Sequence, residues 1–265
     1  MKSTAPHTIL QLQQMKNDGK KIACVTAYDA SFAAQAVAAG MDCLLVGDSL
    51  GMVVQGQDST LAVTLDEMIY HCRAVRRGAP QSFIIADMPF MSYATAEQAM
   101  ANASALMQTG IHMVKLEGGA AWVFDSVTQL TQRGIPVCGH LGLTPQFVHQ
   151  LGGYRQQGKT EQAANQLYAQ ATELVQAGIR LLVLECVPET VGKYIAQHLS
   201  IPVIGIGAGY ACDGQVLVSY DMLGLTPGKI PGFAKNFMLG QACISDAFKA
   251  YVQAVKAQDF PVKNG

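Results

Sequence analysis

Met113-Val114-Lys115-Leu116-Glu117-Gly118-Gly119 is a short apolar run that ends on an acid and a pair of glycines. The same design recurs on either side of it. Cys43-Leu44-Leu45-Val46-Gly47 ends on Asp48, Phe83-Ile84-Ile85-Ala86 on Asp87, and Leu181-Leu182-Val183-Leu184 on Glu185. Continuous apolar runs of this length fit strands buried on both faces, the situation of a parallel sheet covered by helices. In such proteins the C-terminal strand ends share one face, and the active site is built there. Carboxylates on separate strands then converge, and converging carboxylates repel unless a cation or shared protons hold them. The pattern therefore predicts a metal-dependent site.

Working outward, strand-like and helix-like stretches alternate almost throughout. Strands are predicted at 22–27, 43–47, 82–86, 112–116, 136–139, 180–184, 202–206 and 215–219. Helical stretches fall at 29–39, 64–77, 95–108, 121–132, 161–176 and 188–198. Gly40, Gly110, Gly134 and Gly178 close helices just before the next strand. A loop rich in Gly and Gln spans 143–159. Eight strands in 265 residues, without a second composition zone, predict a single (β/α)8 barrel domain over 1–265. A doubly wound open sheet is the alternative, because strand count alone does not establish closure. The pattern from about 233 to 256 is helical, and is expected to cap the barrel or reach a neighbouring subunit.

Half of the residues are hydrophobic and 14% are charged, ample for a large core. Low charge and alanine-rich helix faces fit a homo-oligomer. The net charge of −1, without a basic run, argues against nucleic acid as a partner. The seven cysteines include no C-x-x-C pair. Cys24, Cys43 and Cys138 lie in strand-like runs as small core residues, and the whole set suits a reducing cytoplasm. Residues 1–21 carry no apolar signal core, and no stretch approaches the roughly 20 apolar residues of a membrane span.

Asp48, Asp87 and Glu117 offer hard oxygen ligands of the kind Mg²⁺ prefers. An acid after a strand also caps the next helix or braces a turn. A His-rich ligand set, as zinc would want, is missing. Lys115 leaves its strand on the same face as Glu117, toward a barrel interior. There it can hold a substrate carboxylate, form a Schiff base, or simply pair with Glu117. His140 is placed to polarise a carbonyl or to serve a structural role. Glu185 follows a run too apolar for a carboxylate unless it is paired, which suits a general base or a helix cap. Gly205-Ile206-Gly207-Ala208-Gly209 is either a phosphate loop or a tightly packed bend. Tyr210 stands where a dinucleotide fingerprint needs its third glycine.

Several stretches, in order, resemble the ketopantoate hydroxymethyltransferase family. They are Thr26-Ala27-Tyr28-Asp29, Leu45 to Met52, Val54-Gln55-Gly56, Tyr70-His71, Ala86 to Phe90, Val114 to Gly119, Val137 to Pro145, Leu184 to Pro188, Ile204 to Gly209 and Phe233 to Phe237. The resemblance runs from about residue 22 to about 240, with no departure at the functional positions. It implies transfer of a one-carbon unit from 5,10-methylenetetrahydrofolate to 3-methyl-2-oxobutanoate, giving 2-dehydropantoate in pantothenate biosynthesis. It also implies Mg²⁺ on Asp48, Asp87 and Glu117, and substrate contacts at Asp48, Ser49, Asp87 and Lys115. On the resemblance Glu185 becomes the base and the assembly a homodecamer, and the chemistry of the site adds His140 as a hydrogen-bond partner of a substrate or product oxygen. The alternatives are another Mg²⁺-dependent α-keto-acid lyase or mutase, a Schiff-base aldolase using Lys115, and a barrel that binds without catalysis.

Overall fold

The computed structural model describes residues 8–262. Residues 1–7 and 263–265 of the expected domain lie outside the described residues. Eight parallel strands pair in chain order and close on themselves. They are β1 (Ile22–Thr26), β2 (Cys43–Val46), β3 (Phe83–Asp87), β4 (Met113–Glu117), β5 (Val137–Gly142), β6 (Leu181–Glu185), β7 (Val203–Ile206) and β8 (Gly214–Leu217). Closure is explicit in the register of the last strand on the first, Cys24 opposite Val216, and it excludes the open sheet. The fold is a (β/α)8 barrel.

The helices in chain order are α1 (Ile9–Asn17), α2 (Ala30–Ala38), α3 (Leu50–Val53), α4 (Leu65–Gly78), α5 (Ala96–Met107), α6 (Ala121–Gln132), α7 (Val148–Leu151), α8 (Glu161–Ala177), α9 (Glu189–His198), α10 (Ser219–Leu223) and α11 (Ile244–Ala257). Their starts follow from local chemistry. Thr64 and Glu67 form a reciprocal capping box at α4, and Asp29, Thr95 and Thr160 cap α2, α5 and α8 through side-chain oxygens. Gly178 ends α8 at φ 110, a conformation that side chains bearing a Cβ resist.

Side-chain alternation divides each strand between two cores. Val114 and Leu116 of β4 face the surrounding helices, while Met113 joins Ile85, Cys138, Leu181 and Val216 inside the barrel. Cys24, Cys43 and Cys138 are buried there as the sequence predicts. Each fully buried aliphatic side chain contributes about 1.5–3 kcal/mol. This shell is therefore what stabilises the fold, because buried charge clusters are poor sources of stability. Lys115 and Glu117 continue the inward face of β4 toward its C-terminal end.

Three features depart from the sequence reading. Helix α1 lies within the polar N-terminal stretch and buries only Leu12, against the interior strand residues at the foot of the barrel. One buried residue in nine leaves no periodicity to read. The 143–159 loop contains a 3-10 turn, Pro145–Phe147, and then α7. The expected helical segment from about 233 begins only at Ile244. Residues 233–243 instead follow an irregular path, because Phe233, Phe237 and Met238 pack against the core and Phe237 N–H donates to Met222 O at 2.8 Å. Helix α11 does cover the barrel wall. Its Tyr251 hydroxyl meets both Cys24 O at 2.9 Å and Gln215 O at 3.0 Å.

Candidate active site

A cavity of about 500 Å³ opens at the C-terminal strand ends. Its floor carries Asp48, Ser49, Asp87, Lys115, Glu117, His140 and Glu185. Every site residue read from the sequence therefore lines one space. Apolar residues from β6 to β8 and the 230–233 segment form much of the rest of the wall, joined by polar residues that include Thr26, Tyr154, Asp221 and Lys229.

The inward face of each strand supplies one tier of the floor. Asp87 lies opposite Lys115 across β3 and β4, and Glu117 opposite His140 across β4 and β5. Lys115 Nζ is 2.9 Å from Asp87 Oδ1 and 3.6 Å from Glu117 Oε1. Burial alone disfavours the Lys115 cation, but Asp87, Glu117 and Asp48 outweigh it and raise the pKa above the usual lysine value. Lys115 is thus an ammonium, not the free amine that a Schiff base needs.

His140 sits between two acids. Nδ1 is 3.0 Å from Glu117 Oε1, and Nε2 is 3.2 Å from Glu185 Oε2, the latter out of line for a hydrogen bond. An ionised Glu117 only accepts, so Nδ1 carries a proton and donates to it. The 3.1 Å approach of Lys115 Nζ to the same nitrogen is then donor against donor, tolerated because Asp87 draws the ammonium away. Burial and the Lys115 charge oppose an imidazolium, yet Glu117 and Glu185 hold the His140 pKa up at about 9. Burial likewise works against the Glu117 carboxylate. His140, Lys115 and the Gln146 N–H prevail and bring its pKa below the usual value.

Asp48 shows the strain of the cluster. Burial, followed by repulsion from Asp87 and Glu117, pushes its carboxyl well above the usual range. Asp48, Asp87, Glu117 and Glu185 face only Lys115 and His140 within the connected cluster, an excess of two negative charges when all are ionised. That is the charge a divalent cation cancels. Asp87 Oδ1 is buried without an aligned hydrogen bond despite Lys115 beside it. Both oxygens of Glu117 are engaged, Oε1 by His140 and Lys115 and Oε2 by the Gln146 N–H at 3.0 Å. Among the described residues no group of three or more His, Cys, Asp or Glu side chains is already arranged around a metal position. Asp87 is engaged as well, Oδ2 by the Asp48 N–H at 3.0 Å and Oδ1 by the Lys115 charge, and the three hard-oxygen carboxylates Asp48, Asp87 and Glu117 are of the kind that fits Mg²⁺.

Three residues behind this floor, Gln146, Tyr93 and Tyr28, escaped the sequence reading. Gln146 donates through Nε2 to Asp48 Oδ2 at 2.8 Å and accepts from the Tyr93 hydroxyl at 2.6 Å. Tyr28 shares a 2.9 Å hydrogen bond with Ser49. Gln146 lies in the Gly- and Gln-rich loop, where a neutral amide carries no chemical signal of its own, one position beyond the 137–145 stretch that carried the resemblance. Tyr28 falls inside such a stretch, but a lone tyrosine carries no chemical signature.

The 205–209 glycines resolve as packing positions. A Cβ on Gly207 would come within 2.6 Å of the Phe233 ring, and one on Gly209 would overlap Glu189. Gly142 matters more directly. It pairs with Glu185 across β5 and β6 at φ 92, and a Cβ there would collide with the Glu185 carbonyl oxygen. Gly142→Ala is expected to push the Glu185 backbone aside and lower kcat by about 100-fold, the usual effect of misplacing a reacting group by about 1 Å. Steady-state kinetics on the folded variant checks this.

A family model described as ketopantoate hydroxymethyltransferase matches residues 6–263. A curated 3-methyl-2-oxobutanoate hydroxymethyltransferase from Nitrosococcus oceani is 58% identical over 256 residues, covering 96% of this chain and 97% of its own. One of the same name from Shewanella denitrificans is 57% identical, covering 94% of each chain. Among solved structures, a phosphoenolpyruvate phosphomutase from Streptomyces platensis superposes with a TM-score of 0.63 at 13% identity, covering 82% of this chain and 83% of its own. A phosphonopyruvate hydrolase in complex with oxalate and Mg²⁺ gives 0.61 at 10% identity, covering 80% and 81%. These structural likenesses show the shared barrel.

Proposed function

The chain belongs to the ketopantoate hydroxymethyltransferase family, and from that premise we propose that it transfers a hydroxymethyl group from 5,10-methylenetetrahydrofolate to 3-methyl-2-oxobutanoate, giving 2-dehydropantoate for pantothenate synthesis. The observation that carries this reading is the convergence of Asp48, Asp87, Glu117 and Glu185 around Lys115 and His140 in one cavity. Asp48 and Asp87 would hold Mg²⁺, with Glu117 beside them. When bound, the cation supplies Lewis acidity to the carbonyl and carboxylate oxygens of the keto acid, which acidifies C3.

The remaining work falls to the chain's own groups. Lys115 and Ser49 hold the substrate carboxylate, and Asp48 and Asp87 orient the keto acid. Glu185 removes the C3 proton, and its position at the end of β6 places it across the cavity from Asp48 and Asp87. His140 steadies that carboxylate on one side and Glu117 on the other. A donor to a substrate oxygen would have to come from its Nε2, now turned to Glu185. Both C–N bonds of the folate methylene carbon break: water frees that carbon from N5 and N10 at the formaldehyde level, leaving both nitrogens protonated. The C3 carbanion bonds to it, and the resulting alkoxide takes up the proton held by Glu185. The apolar wall excludes bulk water from the carbanion.

We further propose a cytoplasmic homo-oligomer, a decamer by family likeness. No helix among the described residues is long and apolar enough to cross a membrane. A second reading, a Mg²⁺-dependent α-keto-acid lyase or mutase, draws support from the shared barrel of the phosphonopyruvate hydrolase that binds oxalate and Mg²⁺. One assay separates the two. Turnover of 3-methyl-2-oxobutanoate is expected only with methylenetetrahydrofolate, and is expected to vanish in EDTA and return with Mg²⁺. Cleavage of keto acids without folate would favour the second reading.

A further inference from the structure

Gln146 is 4% exposed, and all of its hydrogen-bonding groups other than the backbone carbonyl have protein partners, two of them the cavity-floor residues Asp48 and Glu117. Its backbone N–H donates to Glu117 Oε2 at 3.0 Å. Its side-chain amide donates to Asp48 Oδ2 at 2.8 Å and to Met88 O at 2.9 Å, and its carbonyl oxygen accepts from Tyr93 at 2.6 Å. The amide orientation is fixed by its surroundings. The opposite orientation would set a carbonyl oxygen against two acceptors, the Asp48 carboxylate and the Met88 carbonyl.

We propose that Gln146 is the positioning residue of the metal site: it clamps Asp48 Oδ2 and Glu117 Oε2, so that Asp48 Oδ1 is turned toward a divalent cation beside the Asp87 carboxylate, whose Oδ2 accepts from the Asp48 N–H at 3.0 Å and whose Oδ1 lies 2.9 Å from Lys115 Nζ. The proposal rests on the metal reading given above. Among the described residues no protein donor reaches Asp48 Oδ1, whereas Oδ2 is held from one side. The residue type matters. A lysine or arginine could make the same contact to Asp48, but its charge would cancel part of the negative potential that attracts the cation. A neutral amide orients the carboxylate and leaves its charge in place. Tyr93 completes the arrangement by holding the amide oxygen, while its own hydroxyl oxygen accepts from the Glu117 N–H at 3.3 Å.

The test is calorimetric titration of the full-length protein with Mn²⁺ in the absence of substrate. Gln146→Met keeps the bulk of the side chain and removes its donors. It is expected to weaken Mn²⁺ binding about 10- to 100-fold, the usual effect of removing an outer partner of a metal ligand. Saturating Mg²⁺ is expected to restore most of kcat, because the defect lies in metal affinity. Tyr93→Phe is expected to shift the affinity in the same direction by less, and the double variant to lose no more than Gln146→Met. Should Gln146→Met not fold, Tyr93→Phe alone carries the test. A folded Gln146→Met with wild-type Mn²⁺ affinity, or a Tyr93→Phe with no change, overturns the proposal. Failure of the wild type to take up Mn²⁺ overturns the metal reading and the proposal together. Intact Mn²⁺ binding without folate-dependent turnover overturns the assigned reaction and leaves the clamp standing.

Discussion

Glu185→Gln is expected to reduce kcat by about 10² to 10⁴, the range over which a positioned general base accelerates proton transfer. Glutamine has the shape of glutamate and keeps an oxygen near His140, so the floor of the cavity retains its geometry. What it loses is the site that accepts the proton. The sharper readout is exchange. In D₂O the wild type with Mg²⁺ should wash out the C3 proton of 3-methyl-2-oxobutanoate without folate, since abstraction precedes attack on the methylene carbon. The variant should lose exchange and turnover by similar factors, with KM little changed. The Glu185 side chain is 15% exposed, against 2–4% for Asp87, Lys115, Glu117 and His140, so its replacement perturbs the buried cluster least. Normal C3 exchange in the folded variant would remove Glu185 from the role of base. It would leave the cation-binding half of the site untouched.

The barrel was legible because its cause is local and repeated. Runs such as Cys43–Val46 and 83–86 are apolar on both faces, as only a strand between an inner and an outer core requires. Their terminal acids were legible for the same reason, since a carboxylate at the end of such a run has to find a partner. His140 was placed as ending its strand, yet β5 runs on to Gly142, and this sets the His140 ring between Glu117 and Glu185. The roles of the acids were less visible. Spacing offered Asp48, Asp87 and Glu117 as equals, whereas in the structure Asp87 and Glu117 each meet protein donors through both oxygens and Asp48 is held through Oδ2 by a neutral amide. Gln146, which holds one oxygen each of Asp48 and Glu117, arrives from a different loop and carries no charge to advertise itself. The segment 233–243 misled for a related reason. Its aromatic spacing mimics a helix, but Phe233 is spent on the gap left by Gly207 and Phe237 on the contact with α11.

Lys115→Met should be the most disruptive single change to the fold made from within the site. Lys115 is 3% exposed and faces Asp87 and Glu117, and removing one member of a buried ion pair typically destabilises by about 3–5 kcal/mol. For a chain of this size that corresponds to a fall in Tm on the order of 10 °C. The direction with pH follows from Asp48. Burial, Asp87 and Glu117 raise its folded pKa above the unfolded value of about 3.9, so the folded state binds that proton more tightly than the unfolded chain does. Such a group penalises folding at neutral pH, and the penalty fades as the pH falls toward its unfolded value. Lys115 opposes this shift, so its loss enlarges the penalty at pH 8 and matters progressively less toward pH 5. Thermal unfolding of the two proteins across that range should show the gap narrowing with acid. Added Mg²⁺ should recover part of the stability of the variant, because the cation supplies charge that the lysine no longer does. It should not recover activity in full, since the ammonium is also proposed to hold the substrate carboxylate, and a rise in KM of at least about 30-fold is expected for losing a buried charged contact. A Lys115→Met protein with wild-type Tm at pH 8 would mean that the carboxylates are already protonated in the wild type. The cluster would then be a shared-proton network, and the excess negative charge would no longer argue for a cation.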